Sequence, residues 1–214
     1  LQNGEAYEFR YRGDDGQLVY RYTPQHGHWG DITVTWNNAL SFRPMVSGGI
    51  RLRTAEGRLV EPQYKLMSCA VEGDAVVARW QVEAANCHGE VTYSFRLWQK
   101  SLVIDVACLG GIVGEVSFGY AEGLPHPRLV TLPYLTCEAQ RPAVVVAGDE
   151  KAPLFMMGLV DYYRSNASAL FAINDSREDH LTYNGGARYL PKTDGKLNDA
   201  FERLFLTVSP RFEE

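Results

Sequence analysis

The chain has 214 residues and a net charge of −5 at pH 7, with 45% apolar and 22% charged residues. These values are ordinary for a globular protein that can bury a sizeable core. Nucleic-acid binding is not expected, because contacts to phosphates need clustered Lys and Arg side chains. A membrane helix is not expected either, since the longest apolar runs, at 143–148 and 154–160, fall far short of the roughly 20 residues that a crossing requires.

The chain begins Leu-Gln-Asn-Gly, without an initiator Met or a signal-peptide pattern. We therefore expect an excised or processed piece of a longer protein, and we favour a secreted or periplasmic origin over a cytoplasmic one. Four cysteines lie far apart and form no CxxC pair: Cys69, Cys87, Cys108 and Cys137. The apolar surroundings of three of them favour buried free thiols, with one or two disulfides as the alternative for a secreted protein.

Apolar and polar residues alternate along most of the chain, which is the pattern of half-buried strands. The first two apolar sets, in chain order, are Tyr7, Phe9 and Tyr11, followed by Ile32, Val34 and Trp36. The clearest alternation covers residues 74–108, where it recurs three times. This segment predicts an antiparallel meander with one solvated face.

Gly- and Asp-containing turn sequences separate the predicted strands, at 13–16, 55–58, 71–75 and 147–151. The Gly- and Pro-containing segment 119–136 predicts a long irregular loop across a rim or face. Residues 195–205 are the one segment whose pattern suits a short helix. Alternation at 201–208 predicts a closing strand with Leu204, Leu206 and Val208 facing inward.

A dozen or more strands with almost no helix cannot lie in one flat sheet, because twisted open sheets curl or split into two packed layers. The sequence therefore predicts an all-β fold, a large antiparallel β-sandwich. It contains no fixed-period repeat and no Pro- or Ser-rich linker. Residues 1–214 are expected to form a single domain.

Two histidine-containing segments are candidates for chemistry. His26 and His28 form an H-x-H sequence, which on a strand would present both imidazoles on one side as metal ligands. We favour an exposed loop with local hydrogen bonds, and expect no metal and no other cofactor. His126 lies between two prolines that restrict its backbone, with Glu122 and Arg128 nearby. His126 and Glu122 are weak candidates for acid–base chemistry on a sugar hydroxyl, with a stiffened rim loop as the alternative.

Tyrosines in or beside Gly-, Pro- or Asn-rich segments are candidates for stacking on the apolar face of a sugar, although each ring could instead fill the core. The turn-rich segment 183–199 predicts an exposed rim or domain-contact loop, with Tyr183, Arg188 and Tyr189 as its contacts. The complete predicted carbohydrate-binding set is Tyr120, His126, Arg128, Tyr134, Tyr162, Tyr163, Tyr183 and Arg188.

The broad antiparallel strands, the rim segment GYAEGLPHPRLVTLPYLT and the terminal ERLFLTVSPRFEE together resemble a known domain. It is the galactose-mutarotase-like supersandwich domain that precedes the catalytic barrel in large bacterial glycoside hydrolases of the endo-α-N-acetylgalactosaminidase-like type. The resemblance implies a domain that packs on that barrel, while the catalytic carboxylates lie in the barrel itself. Mutarotases of this superfamily use a glutamate and two histidines, and of these we match only His126.

The expected function is therefore a non-catalytic β-sandwich domain of a carbohydrate-active enzyme. Its expected partners are carbohydrate and the catalytic domain of the same polypeptide, and neither nucleic acid nor a membrane. Two alternatives stay open. One is a stand-alone sugar epimerase, mutarotase or lyase that uses His126 with Glu122 or a tyrosine, and the other is a carbohydrate-binding module with stacked tyrosines.

Overall fold

The computed structural model describes residues 2–3, 5–133, 141–161, 164–165, 168–171, 174–177 and 180–214. These residues are mostly in β-strands, with one short 3₁₀ helix, η1 (Trp29–Asp31). Within the described ranges we find no helix that has the length and apolar character needed to cross a membrane.

In chain order the strands are β1 (Gln2–Asn3), β2 (Ala6–Gly13), β3 (Gly16–Tyr22), β4 (Ile32–Trp36), β5 (Leu40–Val46), β6 (Gly49–Arg53), β7 (Leu59–Val60), β8 (Gln63–Glu72), β9 (Ala75–Ala84), β10 (Cys87–Trp98), β11 (Ser101–Cys108), β12 (Val113–Ser117), β13 (Tyr120–Glu122), β14 (Arg128–Thr131), β15 (Ala143–Asp149), β16 (Ala152–Asp161), β17 (Ser168–Phe171), β18 (Asp175–Arg177), β19 (His180–Thr182), β20 (Gly186–Tyr189) and β21 (Arg203–Ser209).

The strands form three antiparallel sheets. The first has eight strands in the order β1-β2-β3-β4-β5-β13-β19-β18, and the second has eight in the order β14-β15-β16-β21-β11-β10-β9-β8. The third has five, in the order β17-β20-β12-β6-β7. The predicted all-β antiparallel sandwich is confirmed.

Aromatic side chains join the two eight-stranded sheets. Tyr22 of the first sheet lies against Phe95 of the second, with ring centroids 4.5 Å apart. Tyr20 is fully buried and donates its hydroxyl to the carbonyl of Lys100, 2.6 Å away. Burying each such ring contributes about 1.5–3 kcal/mol relative to leaving it exposed, so these contacts are a main source of stability.

The predicted meander is confirmed as β9, β10 and β11, which are neighbours in the second sheet. On β9 the predicted inward residues are all 5% exposed or less: Val76, Ala78, Trp80 and Val82. The closing strand is confirmed as β21, on which Leu204, Leu206 and Val208 are at most 1% exposed. The four predicted turn sequences connect β2 to β3, β6 to β7, β8 to β9 and β15 to β16.

Two predicted segments differ from the structure. Residues 195–205 do not form a helix, because Gly195 has a φ of +80° and the Asp194 side chain accepts a hydrogen bond from the Lys196 amide, which favours a turn. Segment 119–136 is not one loop, since it contains β13, which pairs with β5, and β14, which pairs with β15. Its last three residues lie outside the described ranges.

The predicted exposed loop at 183–199 is also wrong in its first part. Residues 186–189 form β20, which pairs with β12 and β17. Tyr183 and Tyr189 are fully buried, so they belong to the core and are not rim contacts. Alternation of buried Ala187 and Tyr189 with exposed Arg188 is the period-two pattern of a strand, which the neighbouring glycines conceal.

The cysteines described by the structure are free thiols. Cys108 is buried, and this burial raises its pKa to about 11, so the thiol is inert at neutral pH. Cys69 and Cys87 are half-buried beside the core. The prediction of buried free thiols is confirmed for Cys108, whereas Cys69 and Cys87 are free but only half-buried. Cys137 lies outside the described ranges.

A lysine cluster makes stability depend on pH. Lys100 forms ion pairs with Asp15 and Glu214, and donates a hydrogen bond to Ser209 Oγ over 3.3 Å. The hydrogen bond from Lys100 lowers the pKa of both carboxyls below their ordinary values of 3.8 and 4.5. A lowered carboxyl pKa in the folded state stabilises the fold above the unfolded-state pKa, and this stability is lost as the pH falls through the folded-state value.

We therefore expect the unfolding free energy to fall as the pH drops below about 4.5, and to fall less steeply in Lys100→Met. Urea unfolding between pH 7 and pH 3 measures both slopes. Lys151→Met, at an exposed turn lysine, is the matched control and should keep the parent slope. Equal slopes in the parent chain and Lys100→Met would contradict the assignment.

Candidate functional site

A cleft with both polar and apolar lining residues lies where β4, β5, β13 and β19 meet in the first sheet. We call it the Glu122 cleft, and its volume is about 580 Å³. Its polar side chains come from positions that alternate with core residues such as Val34 and Phe42, so they project from the face opposite the core. Its lining includes Thr33, Ser41, Arg43, Glu122, Leu124, Pro127 and His180.

An arginine–glutamate pair forms the centre of the cleft. Arg43 and Glu122 are directly opposite each other on β5 and β13, and Arg43 Nη1 is 2.6 Å from Glu122 Oε1. The guanidinium is fixed further by hydrogen bonds from Nε and Nη2 to the Gly30 carbonyl, at 3.3 and 3.2 Å. The two side chains are 42% and 36% exposed, so the pair adds little to stability but is accessible to a ligand.

Two aromatic rings in tilted contact lie beside the Arg43–Glu122 pair. Tyr120, which is half-buried on β13, lies against exposed His180 on β19, with ring centroids 4.1 Å apart and planes tilted by 35°. Tyr120 precedes Glu122 by two residues on the same strand, so their side chains project from the same face of the sheet. The cleft therefore combines a charged hydrogen-bonding pair with the exposed ring of His180, against which Tyr120 packs from beside the lining.

The structure distributes the predicted rim residues differently. Glu122 lines the cleft, and Tyr120 lies next to it, against the lining residue His180. His126 is exposed with a φ of +46° and does not line the cleft. Arg128 is exposed at the start of β14, in the other eight-stranded sheet. Only Pro127, between those two residues, reaches the cleft lining. The predicted proximity of His126 and Glu122 along the chain thus does not bring His126 into the cleft.

The remaining predicted residues lie elsewhere. The prediction that Tyr183 contacts a carbohydrate is wrong. Its side chain is fully buried, and its hydroxyl donates to the Pro44 carbonyl over 3.1 Å. Arg188 lies on the third sheet, where Nε donates to the buried carboxylate of Glu115 over 2.8 Å and the guanidinium covers the Phe171 ring. The other predicted tyrosines, Tyr134, Tyr162 and Tyr163, lie outside the described residues.

Several cleft residues were not found from the sequence. Arg43, His180, Thr33 and Ser41 belong to no motif, and the pairing of β5 with β13 joins positions 79 residues apart. The H-x-H sequence lines a separate cleft. Among the described residues, no group of three or more His, Cys, Asp or Glu side chains is arranged to hold a metal ion.

The geometry of the Glu122 cleft suits recognition of a hydroxylated ligand. The guanidinium supplies fixed donors, the carboxylate supplies acceptors, and Leu124 and Pro127 supply apolar contact. Comparison of the sequence with protein-family models and with curated proteins gives no match. The chemistry of this cleft must therefore be read from its own residues.

Proposed function

We propose that the chain is a β-sandwich module of a carbohydrate-active enzyme and that its Glu122 cleft holds a neutral sugar residue of a glycan. The observation that carries the proposal is the Arg43–Glu122 pair, 2.6 Å apart, beside the Tyr120–His180 ring contact. Neighbouring hydroxyls of a sugar can donate hydrogen bonds to the carboxylate and accept them from the guanidinium. The apolar face of the sugar can pack on an aromatic side chain beside this pair. The charges of the pair cancel, which favours a neutral ligand over an acidic one.

The module takes no part in cleaving the glycosidic bond in this proposal. Glycoside hydrolysis generally uses two carboxyl groups on either side of the bond. Of the described residues that line the cleft, Glu122 is the one carboxylate, and it is ion-paired with Arg43. The role in catalysis is instead to hold a glycan near the active site of another domain.

An apolar surface on the second sheet supports the proposed packing on a catalytic domain of the same polypeptide. Trp98, Leu159 and Phe212 are 54%, 47% and 57% exposed, and they border a groove of about 300 Å³. Phe205 lies edge-on to Trp98, and Phe155 lies edge-on to Phe212. Contiguous exposed aromatic side chains of this kind are typical of contact surfaces between folded domains.

Glycan binding tests the proposal. We expect neutral oligosaccharides to bind the purified chain on a glycan array, and calorimetry to give a dissociation constant for the best of them. Glu122→Gln and Arg43→Lys should each weaken that binding by about tenfold or more, because each loses a hydrogen bond to a charged group. Tyr120→Ala should also weaken it through loss of the stacked ring.

Glu150→Gln is the matched control, since this glutamate is exposed in the β15–β16 turn. It should bind the oligosaccharide as the parent chain does. The proposal fails if no neutral glycan binds, or if Glu122→Gln and Arg43→Lys bind as tightly as the parent chain.

A further inference from the structure

A second polar cleft, with a volume of about 440 Å³, contains both histidines of the H-x-H sequence. We call it the His26 cleft. It shares no described lining residue with the Glu122 cleft. Its walls include His26, His28, Arg51, Glu61 and Tyr64. The proposed glycan binding makes no use of these residues.

Asp31 fixes one of the two imidazoles. Its Oδ2 accepts hydrogen bonds from the amides of Gln25, His26 and Gly27, at 2.9, 2.8 and 3.2 Å. Its Oδ1 is 2.7 Å from His26 Nδ1. Because the carboxylate acts as an acceptor in all of these contacts, His26 Nδ1–H is the donor to Oδ1, and in the neutral ring the lone pair is on Nε2. The His26 side chain is 63% exposed, so that lone pair is accessible.

His28 has the complementary arrangement. The Gly30 amide donates to His28 Nδ1 over 3.2 Å, so Nδ1 is an acceptor and Nε2 carries the proton in the neutral ring. Burial is the main cause that lowers the pKa of His28, which keeps the ring neutral at pH 7. The rings of His26 and His28 are nearly parallel, with centroids 5.3 Å apart. A proton acceptor and a proton donor therefore lie side by side on one wall of the cleft.

Two glycines hold this turn in place. A Cβ on Gly27, whose φ is +80°, would lie 2.3 Å from Cγ of the Tyr64 ring, so the turn packs directly on that ring. A Cβ on Gly30 would lie 2.7 Å from His28 Nδ1, which would break the hydrogen bond that orients His28. The imidazoles are thus oriented before any substrate binds, which is a requirement for efficient catalysis.

The charges in the cleft favour a neutral substrate. Arg51 lies 3.3 Å from Glu61 and 3.4 Å from Glu115, and Glu115 is only 2% exposed. The guanidinium is therefore already matched by carboxylates and is not free to select an anion. Burial lowers the pKa of His28, so this ring adds no charge to the cleft at neutral pH.

We propose that Asp31, His26 and His28 form a hydrolytic site for a neutral carboxylic ester. His26 Nε2 takes a proton from a water molecule, whose oxygen forms a bond to the ester carbonyl carbon. His28 Nε2–H donates a hydrogen bond to the carbonyl oxygen as it becomes an oxyanion. When the intermediate collapses, the bond from carbon to the alcohol oxygen breaks, and the proton on His26 Nε2 passes to that oxygen. Water is the sole co-reactant.

Hydrolysis of p-nitrophenyl acetate by the full chain tests the site. We expect His26→Ala to lower kcat/KM by at least about 100-fold, the usual contribution of a general base. Asp31→Asn should have a comparable effect. An amide NH₂ group facing His26 Nδ1 would favour the tautomer with the proton on Nε2, which then cannot act as a base. His28→Ala should lower kcat by about 100-fold or more, through loss of the oxyanion donor. A slower rate in deuterium oxide and no initial burst are expected for attack by water.

His88→Ala is the control, since His88 is exposed on β10 and does not line the cleft. It should keep the parent rate. Circular dichroism of His26→Ala, which removes only an exposed ring, confirms that the fold is intact. The proposal is overturned if the parent chain hydrolyses the ester no faster than free imidazole at the same concentration, or if His26→Ala keeps the parent rate. Neither outcome bears on glycan binding at the Glu122 cleft.

Discussion

Replacing Tyr183 with Ala is expected to lower the free energy of unfolding by about 3–5 kcal/mol, the usual cost of removing a large buried ring. Tyr183 is fully buried, and its ring lies 5.9 Å from that of Phe118. A Cβ on Gly158 of β16 would approach the Tyr183 ring to 2.9 Å, so the ring packs on the backbone of the second sheet. Its hydroxyl donates to the Pro44 carbonyl on β5 of the first sheet. One side chain therefore connects both large sheets.

Urea unfolding followed by tryptophan fluorescence measures this loss. Tyr183→Phe removes only the hydroxyl and should cost about 0.5–1.5 kcal/mol, the net value of one hydrogen bond. Tyr120→Ala is the matched control at a half-buried tyrosine, and its effect on stability should stay within about 1 kcal/mol. A Tyr183→Ala chain as stable as the Tyr120→Ala chain would mean that Tyr183 is not in the core.

The sequence pattern predicted an exposed loop at Tyr183, although this side chain is fully buried. Period-two alternation identified the β9–β11 meander and the inward face of β21, because long strands repeat the pattern several times. β20 has only four residues, Gly186–Tyr189, so the alternation is too short to outweigh two adjacent glycines. Composition then predicted a loop, although these glycines serve close packing: a Cβ on Gly185 would lie 1.8 Å from the Phe171 carbonyl oxygen.

The Glu122 cleft could be predicted only in part. Glu122 and Tyr120 were singled out because they lie in a Gly- and Pro-containing segment. Arg43 could not be, since its pairing with Glu122 depends on β5 and β13 becoming neighbours across 79 residues. The β9–β11 meander lies between β5 and β13 along the chain. Alternation predicts that each strand exists, but it does not predict which strands become neighbours in a sheet.

The His26 cleft differs from the Glu122 cleft because its main contact is between residues that are close in the sequence. Asp31 is five residues from His26, so the contact is local and the signal lay within the sequence. The predicted local hydrogen bonds are confirmed for His26 and His28, but the sequence did not identify Asp31 as the partner of His26. A carboxylate shortly after a histidine pair can orient one of its imidazoles. An Asp or Glu about five residues after a histidine in a loop therefore indicates a candidate hydrogen-bond partner for its imidazole.

Replacing Glu202 with Leu is the second substitution expected to have a large effect, lowering the unfolding free energy by about 3 kcal/mol or more. Glu202 is 1% exposed. Its Oε2 accepts from the Tyr189 hydroxyl over 2.5 Å, and its Oε1 accepts from Ser168 Oγ over 3.0 Å and from Ser165 Oγ. Leucine would leave these hydroxyls without their charged acceptor, and the Tyr189 hydroxyl is buried where water cannot replace it.

Urea unfolding again provides the measurement, with Glu213→Leu, at an exposed glutamate, as the control that should change stability by less than about 0.5 kcal/mol. Glu202→Gln should fall between the two, because its amide oxygen can still accept from the serines but its charge is gone. If Glu202→Leu is as stable as the parent chain, the hydroxyl network does not stabilise the fold. Glu202 directly precedes β21 of the second sheet, whereas Tyr189 and Ser168 lie on β20 and β17 of the third. The predicted loss of unfolding free energy therefore measures how much one carboxylate contributes to the packing of the third sheet on the second.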